Sequence, residues 1–207
     1  PRFAGWGQGL NYAIANRGGC HLNAYPIALE ALFNFIPPYS TLSKVSWVCY
    51  LEDLFSAVNS VHTCQFTVFA YLLEPPVAKY TPKPILKLAM TLAPALAQGL
   101  LDYSTLSGLY EAMSGRKTSM HAFKIAGRRT HVLERYMNIR CGLQPQDDSL
   151  PARFTDEAIT RHPRASVVPV AKMVLAYYRK KGYDHNGRPT ARTLQRLGIQ
   201  PLDERAL

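Results

Sequence analysis

The sequence is sparing with the features that assign a protein quickly. Its four cysteines, Cys20, Cys49, Cys64 and Cys141, form no CxxC pair. That argues against a zinc ribbon or a secreted disulfide scaffold and for a reducing, cytoplasmic setting. No long hydrophobic run is present. The most apolar stretch, 85–101, is broken by Lys87, Pro94 and Gln98, and it falls short of the roughly 20 residues a membrane span needs. Acidic residues are in deficit, 14 against 24 Lys and Arg, for a net charge of +10. Such a charge suits nucleic acid, acidic proteins or anionic cofactors and does not select among them. The short clusters Arg128-Arg129 and Arg179-Lys180-Lys181 read as solvated helix faces or helix C-termini, where cations complement the dipole. A local Ser-His-Asp signature, a P-loop and an HExxH helix are absent. So are alternating strand patterns of useful length and internal repeats. Pro1 opens the chain with no charged n-region or apolar h-region behind it, which reads as a cut within a longer chain.

What is present is a core and a helical period. With 207 residues and 47% hydrophobic content, the chain can bury one sizeable core or two smaller ones sharing an interface. Val45, Val48, Glu52, Phe55 and Val58 recur at helical spacing and predict a helix from about Ser43 to Val58, with Cys64 just beyond it. Pro82 and Pro84 precede a helix running towards Gly99 that Pro94 is placed to kink. Ser104 is a cap for a shorter helix. Phe123, Ala126, Thr130, Leu133 and Met137 mark an amphipathic helix over about Ala122 to Asn138. The clearest stripe is Val170, Met173, Val174, Tyr177 and Tyr178, with Pro169 in the first turn and Gly182 as the stop. Thr190 caps a last helix carrying Leu194 and Leu197. The run Phe66 to Leu73, ended by Pro75-Pro76, fits a buried helix or a strand equally. Gly142 to Arg164, with Pro145, Pro151 and Pro163, reads as an extended surface connection. The fold class is all-α, irregular and multi-helical.

Three segments hold residues suited to chemistry. In Asn16-Arg17-Gly18-Gly19-Cys20-His21, a tight turn opening onto a helix would point backbone N–H groups at an anion. A Gly-Gly turn beside a packed Cys20 and a partly exposed His21 is the plainer alternative. In Asn59-Ser60-Val61-His62-Thr63-Cys64, a thiolate held at a helix end is suited to ligate iron. One cysteine cannot hold a four-iron cluster, so any further ligands lie outside the chain. In Asp147-Asp148, paired carboxylates suggest acid or metal chemistry, but neighbours in a proline-bounded loop fit salt links or turn caps better.

Arranged in order, several stretches resemble one family. Pro1-Arg2, Leu10-Asn11-Tyr12-Ala13, Asn16 to Leu22 and Tyr25 look like the start of the C-terminal domain in the aldehyde ferredoxin oxidoreductase family. Glu52-Asp53 to Cys64-Gln65-Phe66 resembles its D-x-x-G-x-C segment. Leu106-Ser107-Gly108, Gly127-Arg128-Arg129, Glu134-Arg135, Asn138-Ile139-Arg140, Asp147-Asp148, Leu150-Pro151, Arg153-Phe154, Tyr177-Tyr178 and Gly182-Tyr183-Asp184 follow its order and spacing. The resemblance implies residues 1–207 as a C-terminal helical domain lacking the N-terminal β domain, with a subdivision into 1–142 near the cofactor and 143–207 as an extension. It implies a tungsten or molybdenum bis-pterin (molybdopterin-type) cofactor beside a [4Fe-4S] cluster in an anaerobic oxidoreductase. An aldehyde is oxidised to a carboxylate with water, and electrons leave through the cluster to ferredoxin. The cofactor carries the electronic step while protein groups position substrate and move protons.

Carried over by position, Cys64 falls on the fourth cluster ligand and His21 on the active-site histidine that assists proton transfer. Asn59, Ser60, Val61, His62 and Thr63 fall on the pterin-binding loop. The glutamate that works with the histidine falls upstream of Pro1. Asn59 stands where the family has aspartate, keeping an acceptor but losing the charge. His62 stands where glycine is usual. The implied partners are the N-terminal domains of the same enzyme, ferredoxin and a small aldehyde, with no membrane, and a homo-oligomer stays open; the chain alone is expected to be inactive. The alternative is a non-catalytic helical docking module for an acidic redox partner. A basic nucleic-acid binder, prompted only by the +10 charge, is the third reading.

Overall fold

The longest helices are the ones whose apolar period is plainest in the sequence, and they form the centre of the molecule. The computed structural model describes residues 5–69, 79–157 and 167–200. In order these form α1 (Trp6–Ile14), a π-turn (Ala28–Leu32), α2 (Lys44–Ser60), a 3-10 turn (Gln65–Thr67), α3 (Lys83–Leu92), α4 (Pro94–Gly99), α5 (Ser104–Ser114), α6 (Met120–Arg140), a 3-10 turn (Pro145–Asp147), α7 (Ala152–Thr155), α8 (Val170–Lys181) and α9 (Ala191–Arg196). Among the described residues the only extended pairing is an isolated bridge between Tyr183 and Pro189. The fold is all-α. No single helix there is long and apolar enough to cross a membrane.

Helix α2 is the hub, packing against α6, α8 and α1, while α1 also meets α8. Its Trp47, Val48, Leu51, Phe55 and Val58 are buried with Val132 of α6 and with Met173 and Tyr177 of α8. The α2–α6 crossing is close because Gly127 has no side chain: a Cβ there would stand 2.0 Å from the Asp53 carbonyl oxygen. The Trp47 indole N–H donates to the Met90 carbonyl at 2.8 Å and ties α3 to the hub.

Helix α1 has no counterpart in the periodic reading, because Gly7 and Gly9 are poor helix formers. A tertiary contact supports it. Glu30 accepts the N–H groups of Gly7 at 2.7 Å and Gln8 at 3.1 Å, satisfying two donors that a helix start leaves orphaned. Lys44 lies 2.6 Å from the same carboxylate, and both side chains are fully buried. Burial raises the Glu30 pKa against the pull of Lys44, and burial lowers that of Lys44 against the pull of Glu30. Both shifts favour the neutral forms.

Several expectations change in detail. The helix after Pro82 breaks at Ala93, so Pro94 starts a new helix. Ser104 is not a cap but the first residue of α5, and the Asp102 carboxylate accepts its N–H at 2.8 Å. Ser119, unforeseen, caps α6 by accepting from Ala122 N at 3.1 Å. Thr190 caps α9 as expected. The turn at 16–21 follows α1 and opens onto further turns before the π-turn at Ala28, so no helix N-terminus stands there to face an anion. Pro1-Arg2, the part of the Phe66 run beyond Phe69, Pro75-Pro76 and Pro163 lie outside the described residues.

Candidate functional site

The C-terminus of α2 shapes the loop that carries Cys64. The N–H of His62 donates to the Asn59 carbonyl at 3.1 Å and that of Thr63 to the Val58 carbonyl at 3.4 Å. This is the two-bond Schellman closure of a helix, which requires a left-handed residue after the cap. His62 is that residue, at φ 54. A glycine would take this conformation without strain. The next residues form the 3-10 turn, in which both the N–H and the hydroxyl of Thr67 donate to the Cys64 carbonyl, at 3.1 and 2.7 Å. The Gln65 amide donates to Asn59 Oδ1 at 2.6 Å and closes the loop on itself. Ser60 points back along the helix, donating to the Ser56 carbonyl at 2.9 Å, and the Thr63 hydroxyl faces the Val61 carbonyl at 3.5 Å. The Cys64 side chain is free and exposed.

His21 comes from a distant part of the chain yet reaches this loop through a chain of tilted and edge-on ring contacts. Its imidazole is 6.1 Å from the Tyr25 ring, and Tyr25 meets Phe66 edge-on at 5.6 Å and Phe69 at 6.1 Å. His21 is exposed, as Cys64 is. The fold therefore links an exposed imidazole to the loop bearing an exposed thiol through one aromatic cluster. Tyr25 carried part of the family resemblance, but nothing in the sequence pointed to its role as the link between the two segments.

A buried polar network lies behind this surface. Glu52 of α2 accepts from the Tyr177 hydroxyl at 2.8 Å and from Asn23 at 3.2 Å, and it stands 3.0 Å from the Lys181 ammonium and 3.3 Å from His131 Nε2. Lys181 also pairs with Asp53 at 2.7 Å. Burial raises the Glu52 pKa to about 7 against Lys181 and Tyr177. For Lys181, burial works against the charge, but Asp53 and Glu52 outweigh it and raise the pKa. One ammonium therefore faces two carboxylates, and burial favours the protonated form of Glu52. His131 is held neutral by burial and by the charges of Lys181 and Arg135. Lys181 is thus not part of a solvated cluster, although Arg179 and Lys180 are exposed. Nor are the arginines of α6 merely solvated, since Arg129 donates to the Gly198 carbonyl at 3.0 Å.

Asp147 and Asp148 do separate jobs. Asp147 accepts the Gln144 N–H at 2.8 Å in a capping box. Asp148 is buried and takes both ends of the Arg135 guanidinium, with one contact at 2.7 Å, and the Tyr178 hydroxyl. Burial opposes the Arg135 charge, but Asp148 more than compensates and raises its pKa. The turn with Asn16, Gly18 and Gly19 faces this loop across a cleft of about 520 Å³ floored by Tyr12, Leu150 and Phe154. The first and third chemical segments thus line one cleft, and the Asn16 amide donates to the His131 carbonyl of α6 at 2.9 Å.

Among the described residues no three His, Cys, Asp or Glu side chains converge as a metal site. An exposed lone cysteine fits one corner of an iron-sulfur cluster whose other ligands come from elsewhere. The loop at 59–63 fits a pterin less completely, because the Asn59 oxygen is taken by Gln65 and an imidazole projects at position 62.

Residues 1–199 match the family model described as aldehyde ferredoxin oxidoreductase, domains 2 & 3. The chain belongs to this family. It is 29% identical over 199 residues to a tungsten-containing aldehyde ferredoxin oxidoreductase of Pyrococcus horikoshii, a match covering 94% of this chain and 28% of that protein. It is 30% identical over 198 residues to the enzyme of the same name from Pyrococcus furiosus, covering 93% and 28%. The Thermococcus kodakarensis enzyme is 28% identical over 198 residues, again 93% and 28%. The chain therefore spans a little over a quarter of the length of these relatives. Within the family's D-x-x-G-x-C pattern, the left-handed conformation at position 62 gives the glycine a physical reason.

Proposed function

We propose that this chain is the C-terminal part of a tungsten-containing aldehyde:ferredoxin oxidoreductase. The observation that carries the reading is Cys64: a free, exposed thiol at the end of α2, in a chain whose family and relatives bear that activity in their names. In this reading Cys64 supplies one ligand to a [4Fe-4S] cluster completed by N-terminal domains of the same enzyme. Residues 59–63 lie along a tungsten or molybdenum bis-pterin. When bound, that cofactor would supply the two-electron acceptor for converting an aldehyde and water to a carboxylate, with ferredoxin as the final electron acceptor.

The chain's own residues position and protonate. The exposed His21 imidazole takes or gives a proton at the aldehyde oxygen. The rings of Tyr25, Phe66 and Phe69 tie the His21 turn to the loop that carries Cys64. Exposed Ile85, Leu88, Leu92 and Leu96 of α3 and α4 give the remaining domains an apolar face to cover. The four described cysteines are unpaired, in keeping with a cytoplasmic, anaerobic setting.

The test is anaerobic expression of the full-length protein followed by tungsten and iron analysis and aldehyde-dependent dye reduction. The reading requires both metals and turnover, iron loss in Cys64→Ser, and turnover loss with metals retained in His21→Ala. A folded, metal-free protein sinks it. The 207 residues alone should give no turnover. Asn59 and His62 favour a second reading, a docking module for an acidic redox partner. Salt-sensitive ferredoxin binding without turnover would support that one.

A further inference from the structure

A small polar cavity of about 170 Å³ lies where α2, α4, α6 and α8 meet. It is remote from the Cys64 loop: Tyr50, in its wall, is nine residues before Asn59, or about 13 Å along the helix. Lys124 and Arg128 of α6 and Lys180 of α8 line it, together with Asp53. Lys181 is committed to Asp53 and Glu52. Among the described residues no carboxylate stands within ion-pair distance of Lys124, Arg128 or Lys180. Lys124 is fixed in place, its ammonium 4.7 Å from the centre of the Tyr50 ring.

Two buried donors on residues of this wall have no partner among the described residues. The Tyr50 hydroxyl accepts and donates nothing, on a side chain that is 4% exposed. Arg128 Nε is likewise buried and unpaired. Leaving such groups unsatisfied is costly, and an oxygen-rich anion would supply the missing acceptors. One acceptor is also open. Asp53 Oδ1 receives the Lys181 ammonium at 2.7 Å, while its other oxygen has no hydrogen bond among the described residues.

We propose that this cavity is a binding site for inorganic phosphate, with Lys124, Arg128, Lys180 and the Tyr50 hydroxyl donating to its oxygens and Asp53 accepting its P–OH. The free carboxylate oxygen sets the selectivity. Hydrogen phosphate keeps a proton to donate near neutral pH, whereas sulfate has none and a phosphate monoester has largely lost its own. An anion lacking that proton meets Asp53 as a like charge. A bound anion also favours the charged form of Lys124, whose pKa burial lowers.

Isothermal titration calorimetry on the full-length protein near neutral pH tests this with potassium phosphate, potassium sulfate and phenyl phosphate. The expected result is saturable phosphate binding at one site, with sulfate and phenyl phosphate at least about tenfold weaker. Lys124→Gln and Tyr50→Phe, checked for an unchanged helical spectrum, should each weaken phosphate, the former by about tenfold or more. No saturable heat with phosphate up to about 10 mM overturns the proposal. Sulfate binding as tightly as phosphate, or phosphate binding unchanged in both variants, overturns it too. If neither variant folds, the wild-type preference among the three anions decides.

Discussion

The Lys181 ammonium lies 3.0 Å from Glu52 Oε2, bridging α8 and α2 inside the core. Asp53 shares the same ammonium, so the cluster carries one negative charge too many for a dry interior. That surplus sets its response to pH.

Glu52 has an ordinary pKa of 4.5, raised to about 7 by burial in the folded chain. A raised carboxylate favours folding while it is protonated. Stability from this group is complete below about pH 4.5 and drains away as pH rises through about 7, a loss on the order of 3 kcal/mol. Urea unfolding across that window should show the decline in the wild-type chain. Glu52→Gln, which cannot ionise, should flatten it; equal slopes in the two proteins would contradict the assignment.

Asp148 neutralises a buried arginine. Asp148→Ala leaves the Arg135 guanidinium without its bidentate partner and should cost about 3–5 kcal/mol. Asp147→Ala removes only a local cap at an exposed turn and should cost about 1 kcal/mol. Chemical denaturation of the two variants side by side checks the ranking, and comparable losses would contradict it.

His62 occupies a backbone conformation that β-carbons resist. His62→Gly should stabilise the loop, by about 1 kcal/mol before the added freedom of the unfolded chain is subtracted. His62→Val should destabilise it. Hydrogen exchange at Thr63, whose amide closes the helix, reports the change locally. Slower exchange in the valine variant would be the wrong sign.

Thiol accessibility separates the cysteines. Cys64 and Cys141 are exposed and Cys49 is buried, with burial raising the Cys49 pKa against the nearby Lys181. A thiol reagent followed by peptide mass mapping should modify the first two rapidly and Cys49 only on unfolding. Equal rates at Cys64 and Cys49 would refute the burial pattern.

Gly127 cannot grow. Its missing side chain lets α6 press against α2, so Gly127→Ala should force the helices apart at a cost of about 1–3 kcal/mol or more. Exposed Gly108, on α5 with open space beside it, should gain rather than lose helix stability as alanine, by about 1 kcal/mol. Thermal melts of both variants test the contrast.

The sequence by itself determined α2, α6, α8 and α9, because an apolar stripe repeating every three to four residues has one stable disposition, a helix with that stripe buried. It also determined where Cys64 falls, just past a helix end, and the family whose ordered motifs the chain shares. Tertiary structure alone decided which charges are inside. Periodicity assigns lysine and glutamate to solvent, so Lys44, Lys181 and Glu30 carried no sign of burial; only Glu52, a carboxylate within an apolar stripe, gave a hint. Helix α1 also depended on distant partners, since its glycines favour no helix until Glu30 meets its N-terminus. The meeting of His21 with the Cys64 loop rests on Tyr25, Phe66 and Phe69 finding one another across some forty residues. Local pattern records what each segment prefers; pairing of buried charges and rings is a property of the closed chain.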